Sequence, residues 1–407
     1  MRIGFITQWF PPEPGTHVAA GIATGLAERG HQVDVVTGFP NYPSGRLMEG
    51  WAQRFYLREE YSPGVTLHRS PLYPSHDSSP THRMANYLSF AASATATANL
   101  RVPRPDVWLV YSSPATAAVP ALLARRGRRA PICLHIQDLW PDSVTGSDFV
   151  HGRALRMMDR ALHAFTNASY RAAERIGVIS PSMKDILVQR GVPADKIRWV
   201  PNWSDNAKAP DNAAERRSLG LPSGPLFLYA GNLGKLQGLL PLVNAFADVP
   251  EAQLVLMGDG VEKDELSAAA ADAPAGNVHV RNSVPADVVP HHLAAADVLV
   301  VSLKDSPLLR ATMPSKVQSS MAAGKPILVH GAGDVADVVT DAGAGVAVRP
   351  GNHGEVADGI RELANQPDEW ADAGVAARQH YEDHFAPDVG ITRLESMLLE
   401  AAKRGQQ

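Results

Sequence analysis

Cysteine is nearly missing from this chain. The single thiol, Cys133, sits inside an apolar run, which excludes an intramolecular disulfide and fits a reducing compartment. Apolar runs stop well short of eighteen residues, and the opening MRIGFITQWFPP lacks the charged, apolar and small-residue layout of a signal peptide. The chain therefore reads as cytoplasmic. Basic excess is absent too: the net charge is −4, so nothing argues for a nucleic-acid partner. No D-x-D, H-E-x-x-H, cysteine pair or G-x-S-x-G elbow occurs, and the neighbours His291 and His292 diverge around a helix, so no metal is implied. The loop after the first expected strand holds one glycine, Gly15, where a dinucleotide fold wants G-x-G-x-x-G; a nicotinamide dehydrogenase is disfavoured.

What is present is regular alternation over a length that suits two domains, 407 residues with 45% hydrophobic and 20% charged. Apolar runs near 2–7, 33–37, 65–69, 107–111, 131–136 and 176–179 read as buried strands, with helices between them at about 17–29, 82–100, 114–126, 151–173 and 182–190. The pattern breaks over 200–225 and then restarts. Strands are expected near 226–230, 253–257, 277–280, 297–301, 326–330 and 345–348, the helix after the first of them over 237–247. The fold class is α/β: two Rossmann-like doubly wound domains, 1–204 and 205–385, with a C-terminal helix at 386–407 expected to pack back on the first. Ligands bind outside the carboxyl ends of such strands, which predicts a site in a cleft between the domains.

Three strand ends carry candidate chemistry. In residues 313–326, MPSKVQSSMAAGKP, a helix begins near Lys316 and ends at Gly324. A cation in a first helical turn opposes the dipole, a conflict that a bound anion removes; a solvated surface lysine is the alternative. Strand 226–230 runs into Gly231-Asn232-Leu233-Gly234-Lys235, a plausible phosphate cradle, with Gly258-Asp259-Gly260 at the end of a second strand. The same glycines would serve tight turns. In ICLHIQDLWPDS, Asp138 stands where its strand gives out and is either a functional carboxylate or a turn residue. His135, mid-strand and on the same face as Gln137, reads as a core histidine.

These segments, in this order, resemble GT-B glycosyltransferases of family 4, the large retaining family. The match spans nearly the whole chain through FITQWFPPEPGTH, QDLWPDS, VISPSM, VPNWSD, FLYAGNLGKLQGL, LVLMGDGVE, AAADVLVVSL and MPSKVQSSMAAGKPIL. The PPEPG, DLWP and PSK elements are most similar to the subgroup of fucosaminyltransferase-like enzymes of surface-polysaccharide assembly. The resemblance implies a nucleoside-diphosphate sugar, UDP- or GDP-linked, held mainly by the second domain. Its diphosphate would meet Asn232, Lys235, Gln237, Lys316 and the backbone at Gly15. Its base would lie against Gly258, Asp259, Ser283 and Val284, with Met313, Pro314, Ser315 and Ser319 flanking the Lys316 turn. Asp138 and Lys316 are the implied catalytic residues.

The chain also departs from the family. Two glutamates with seven residues between them are replaced by Ala311 and Ser319, and the usual arginine and lysine of the phosphate loop by Asn232 and Gln237. That leaves Lys316 and Lys235 as the cations. With no carboxylate pair, double displacement is disfavoured; retaining transfer in this family is thought to be front-side, the leaving phosphate taking the acceptor's proton. The acceptor would be small and soluble, a natural-product hydroxyl or thiol. A polyprenyl-linked acceptor, a sugar-nucleotide 2-epimerase and a non-catalytic binding protein are the alternatives. Residues 87–100 are too mild for a membrane anchor, and Arg153, Arg156, Arg160 and Arg171 read as a solvated face, so weak or no membrane association is expected.

Overall fold

A computed structural model describes residues 1–76, 79–128, 130–142, 153–204, 216–217, 220, 223–365 and 367–405. The expected boundary at 204/205 abuts residues 205–215, which lie outside this set, as do the side chains of Arg153 and Arg156. The chain forms two compact units, Met1–Pro201 with Gly390–Gln407, and Asn202–Val389. Each is a Rossmann-like α/β unit built on one sheet.

The first unit carries β1 (Arg2–Ile6), β2 (Gln32–Gly38), β3 (Leu57–Ser62), β4 (Val65–Ser70), β5 (Val107–Ser112), β6 (Ile132–Ile136), β7 (Arg175–Val178) and β8 (Ile197–Trp199). Their order is β3-β4-β2-β1-β5-β6-β7-β8, parallel except for the antiparallel β3–β4 pair. Sequence reading misses β3 and β8. LREEYS has no apolar run because it is an edge strand with alternating exposure, and β8 is only three residues long. The central strands are continuous apolar runs because helices cover both faces. Gly4 pairs in register with Trp108, and a Cβ there would lie 2.4 Å from the indole, so this crossing of β1 and β5 demands glycine.

The chain's last helix, Pro387–Arg404, contributes Ile391, Leu394, Met397 and Leu398 to the core of this unit. Glu395 pairs with Arg29 at 2.8 Å, and Glu400 accepts from Arg175 at 2.9 Å and Arg198 at 2.8 Å. The Cys133 thiol lies buried among these elements, and burial raises its pKa.

The second unit holds β9 (Leu226–Ala230), β10 (Gln253–Met257), β11 (Val278–Arg281), β12 (Val298–Ser302), β13 (Ile327–His330) and β14 (Gly345–Val348). All pair parallel in the order β11-β10-β9-β12-β13-β14. These strands fall within a residue of their expected positions. The helix after β9 is a correction: it spans Leu239–Ala247 rather than 237–247. Gln237 N–H closes a turn onto Gly234 O at 3.1 Å, and Gly238 is left-handed at φ 60°, so the chain cannot enter a helix sooner. Asn232, Lys235 and Gln237 are thereby left on a loop. Among the described residues no helix is long and apolar enough to cross a membrane.

Candidate active site

In each sheet the strand order reverses at one place, the position where α/β folds of this kind bind their ligands. In the second unit that place is between β9 and β12. The loop after β9 is locked by the turn after β10: Gly231 N–H donates to Met257 O at 2.8 Å, Leu233 N–H to Asp259 O at 2.8 Å, and Glu262 N–H to Leu233 O at 3.0 Å. The backbones touch. A Cβ on Gly258 would sit 1.8 Å from Gly231 O, and one on Gly260 2.3 Å from Leu233 O. The two glycine turns are one interlocked piece.

Lys316 reaches that piece from the helix Ser315–Ala323. Its Nζ lies 5.0 Å from the centre of the Tyr229 ring and 2.7 Å from where a Gly231 Cβ would be. The side chain is half-buried, and desolvation lowers its pKa. Among the described residues no carboxylate lies within ion-pair distance of it. Pro314 begins the helix without a side-chain cap; Gln318, with its amide turned to satisfy both atoms, donates back to Pro314 O at 2.9 Å and Ser315 O at 3.2 Å. Ser319 is also bound inward, its hydroxyl donating to Lys316 O at 3.2 Å. The Ala311 side chain is buried.

Beneath the loop, Ser302 donates to Gln237 O at 2.6 Å and faces His330 Nδ1 at 2.9 Å. Since the serine proton goes to the carbonyl, the imidazole must carry its hydrogen on Nδ1. His330 Nε2 and Gln237 Oε1 are then two buried acceptors without a partner among the described residues. Burial takes the His330 pKa down to about 4.

In the first unit the reversal falls between β1 and β5. A cavity of about 350 Å³ opens there, lined by Trp9, Gly15 and Thr16 after β1, Tyr42, Ser113 after β5 and Gln137 after β6. Asp138 adjoins it, accepting from the Ser113 hydroxyl at 2.7 Å. Its carboxylate is open to water on one side but crowded by protein on the others; this desolvation raises its pKa, and the Ser113 bond opposes the rise. Two of its lining rings pack together, the Trp9 ring centre 5.7 Å from Tyr42, and the ring contacts continue beyond the lining through Tyr87, 6.3 Å from Trp9 and 5.8 Å from Trp140. Gln8, between the lining residues Thr7 and Trp9, belongs to a buried amide cluster in which it donates to Asn86 Oδ1 at 2.5 Å and Asn86 donates to Tyr73 O at 2.7 Å. His135 lies below as a satisfied core residue, bonded to Val200 O at 2.8 Å and to the Gln137 amide at 3.2 Å, its pKa lowered by burial to about 4. Among the described residues no three His, Cys, Asp or Glu side chains stand close enough to share a metal ion.

Two family profiles match this chain, "Glycosyl transferase 4-like domain" over residues 15–203 and "Glycosyl transferases group 1" over residues 211–380. Together they take in most of its length. The chain is a GT-B glycosyltransferase. It is 29% identical over 316 residues to the putative colanic acid biosynthesis glycosyl transferase WcaI of Escherichia coli, covering 74% of this chain and 75% of that one. The GDP-mannose-dependent alpha-mannosyltransferase of Mycobacterium tuberculosis is 23% identical over 390 residues, covering 93% and 91%. The 2-deoxystreptamine glucosyltransferase of Streptomyces kanamyceticus is 25% identical over 226 residues, 52% of this chain and 57% of the relative. The fold is shared with sucrose-phosphate synthase from Thermosynechococcus elongatus (TM-score 0.74, 19% identity, 100% and 98% covered). It is shared too with Anabaena HepE in complex with UDP-glucose (TM-score 0.67, 18% identity, 99% of each chain).

Within this glycosyltransferase the residues singled out from sequence separate by unit. Asn232, Gln237, Gly258 and Lys316 meet around the interlocked turns; a Cβ on Gly234 would lie 2.8 Å from Asn232 Nδ2 and 3.1 Å from Gln237 Oε1. Lys235 is exposed on the same loop. Asp259 points outward, accepting from Gly260 N–H at 2.9 Å and pairing with Lys263 at 3.6 Å. Val284 packs against the β9–β10 core, and Met313 is buried while Ser315 is exposed. Gly15 and Asp138 belong to the first unit. Sequence reading missed Trp9, Tyr42, Ser113, Tyr229, Ser302 and His330. Ser113 and Ser302 had a signal, each closing or directly following an apolar run at a switch-point strand; the aromatic residues had none short of tertiary contact.

Proposed function

We propose that this protein is a retaining glycosyltransferase that moves a sugar from a UDP- or GDP-linked donor to a hydroxyl or thiol of a small acceptor, using its own cations at the diphosphate. The observation that carries the proposal is Lys316: a half-buried ammonium without a carboxylate, held against the glycine turn at the switch point of the second sheet. A desolvated cation in the first turn of a helix is built to receive an anion. The family's usual loop arginine and lysine are Asn232 and Gln237 here, and Lys316 delivers charge to the same turn from a different helix.

In this reading the diphosphate lies on the 231–238 loop, with Lys316 and Lys235 offsetting the charge that grows on the leaving phosphate. Stereochemistry is retained because the acceptor attacks from the face the phosphate leaves, and its proton passes to that phosphate. No side-chain nucleophile is needed. The acceptor takes the cavity of the first unit, whose rings suit the C–H face of a six-membered sugar or cyclitol and whose Thr16, Ser113, Gln137 and Asp138 suit its hydroxyl edge. HepE, which shares the fold, is described with UDP-glucose, and the mycobacterial relative as GDP-mannose-dependent; both donors are candidates here.

Lys316→Ala decides the donor half. Turnover is expected to fall about 100- to 1,000-fold, measured as UDP or GDP release from the matching sugar nucleotide. A variant with normal turnover and normal donor affinity would sink the assignment. Thermal shift with UDP and GDP then selects the nucleotide, because a ligand that binds only the folded state raises its melting temperature.

A further inference from the structure

Glu13 is a buried carboxylate in a loop, 3% exposed, and the transfer chemistry above does not use it. Its Oε1 accepts from the backbone N–H of Asn41 at 2.8 Å and of Tyr42 at 2.9 Å, and its Oε2 from Phe10 N–H at 3.1 Å. Thus one side chain ties the loop after β1 to the loop after β2. Arg69, also buried, grips the same two loops through their carbonyls, donating to Pro11 O at 2.7 Å and Gly38 O at 3.1 Å, with Glu59 on its Nε. The Glu13 main chain joins in, its carbonyl accepting from the Thr16 hydroxyl at 2.5 Å.

The residues so tied flank the packed ring pair of the cavity lining. Phe10 follows Trp9, and Tyr42 is held by its own N–H, so the carboxylate fixes the backbone beside both members of the Trp9–Tyr42 ring pair. Desolvation raises the Glu13 pKa, and the three backbone bonds pull it back. A buried charge of this kind costs stability unless fully hydrogen-bonded. An apolar residue would fill the space, but it would leave three N–H groups without an acceptor.

We propose that Glu13 is a positioning residue for the acceptor: it presets the spacing of the Trp9 and Tyr42 rings by clamping the 8–16 and 39–43 loops. The functional half of this rests on reading the first-unit cavity as the acceptor site; the clamp does not. Glutamine cannot replace glutamate here, because its NH2 would meet one of three N–H donors. Aspartate is too short to span both loops.

The test uses the full chain, Glu13→Gln and Glu13→Asp, UDP-glucose as donor and 2-deoxystreptamine as the acceptor probe. In the variants, amide hydrogen exchange at Phe10, Asn41 and Tyr42 is expected to accelerate. The KM for the probe should rise about 10- to 100-fold, with the affinity for UDP unchanged. Variants whose acceptor KM and UDP affinity worsen together, or whose three amides exchange as in the parent, overturn the proposal. If neither variant folds, the parent decides: those three loop amides must be protected like strand amides, and exchange at the rate of exposed loops sinks the clamp. A parent that turns over UDP-glucose but shows no saturation with the probe overturns the acceptor reading of the cavity, while the exchange result still judges Glu13.

Discussion

Lys316, the diphosphate ligand of the proposal above, is placed against the interest of the fold. Its ammonium is drawn out of water without a carboxylate to offset the loss, so its pKa is lowered. The sign is definite: between the folded and unfolded pKa values the unfolded chain binds more protons, so stability rises with pH across that window. Lys316→Met should therefore melt at a higher temperature than the parent at pH 7 and lose that rise, while losing donor affinity; calorimetry across pH 7 to 10 checks it. Lys316→Arg keeps the charge. Its kcat/KM for the donor should lack the alkaline limb that the parent shows below the ordinary lysine range, because guanidinium does not titrate there. The sequence had already marked this lysine as an awkward cation at a helix start. It could not show that the side chain lies over Tyr229 and beside Gly231, because those contacts join residues far apart along the chain.

At the scale of elements, the loop proposed to hold the donor is one of a pair of glycine turns whose backbones are in contact. Gly258→Ala places a Cβ 1.8 Å from a carbonyl oxygen, and no rotamer change can relieve a clash between two backbones. The variant should lose roughly 1–3 kcal/mol of stability by overpacking, and UDP affinity should fall with it. Gly276→Ala is the control: its φ is +60° with nothing within 4 Å, so its cost is backbone strain of about 1 kcal/mol with UDP affinity intact. Denaturant unfolding and titration calorimetry separate the two. Element types were legible from sequence because parallel strands covered on both faces are continuous apolar runs. What escaped were β3, a charged edge strand, and the helix start at Leu239, which a left-handed Gly238 sets two residues beyond the apparent N-terminus of the pattern.

For the whole molecule, both units carry a histidine held neutral by burial, His135 in one and His330 in the other, each with a pKa of about 4. A lowered histidine pKa means that the unfolded chain takes up a proton first as pH falls. The imidazoles' share of stability should be complete above pH 6.5 and decline towards pH 4, by about 1.4 kcal/mol per pH unit for each. Denaturant midpoints at pH 7, 6 and 5 check this, and His330→Asn should flatten the decline for the second unit alone. The pairing of one such histidine with a strand-end serine and the other with a strand-end glutamine places both just under the functional edges.

The sequence alone determined the α/β class, the two-fold repetition of the architecture, the helix bearing Lys316 and the glycine turns after β9 and β10. It did so because periodicity, glycine and helix boundaries are local consequences of backbone sterics and of burial on one or both faces. Tertiary structure alone decided that Lys316 lies against Gly231, that Ser113 meets Asp138, and that Glu13 joins two loops beside the Trp9–Tyr42 ring pair. Those facts depend on strand order. The switch points bring β1 beside β5 and β9 beside β12, neighbours separated by scores of residues, and no local pattern records which strands will lie side by side.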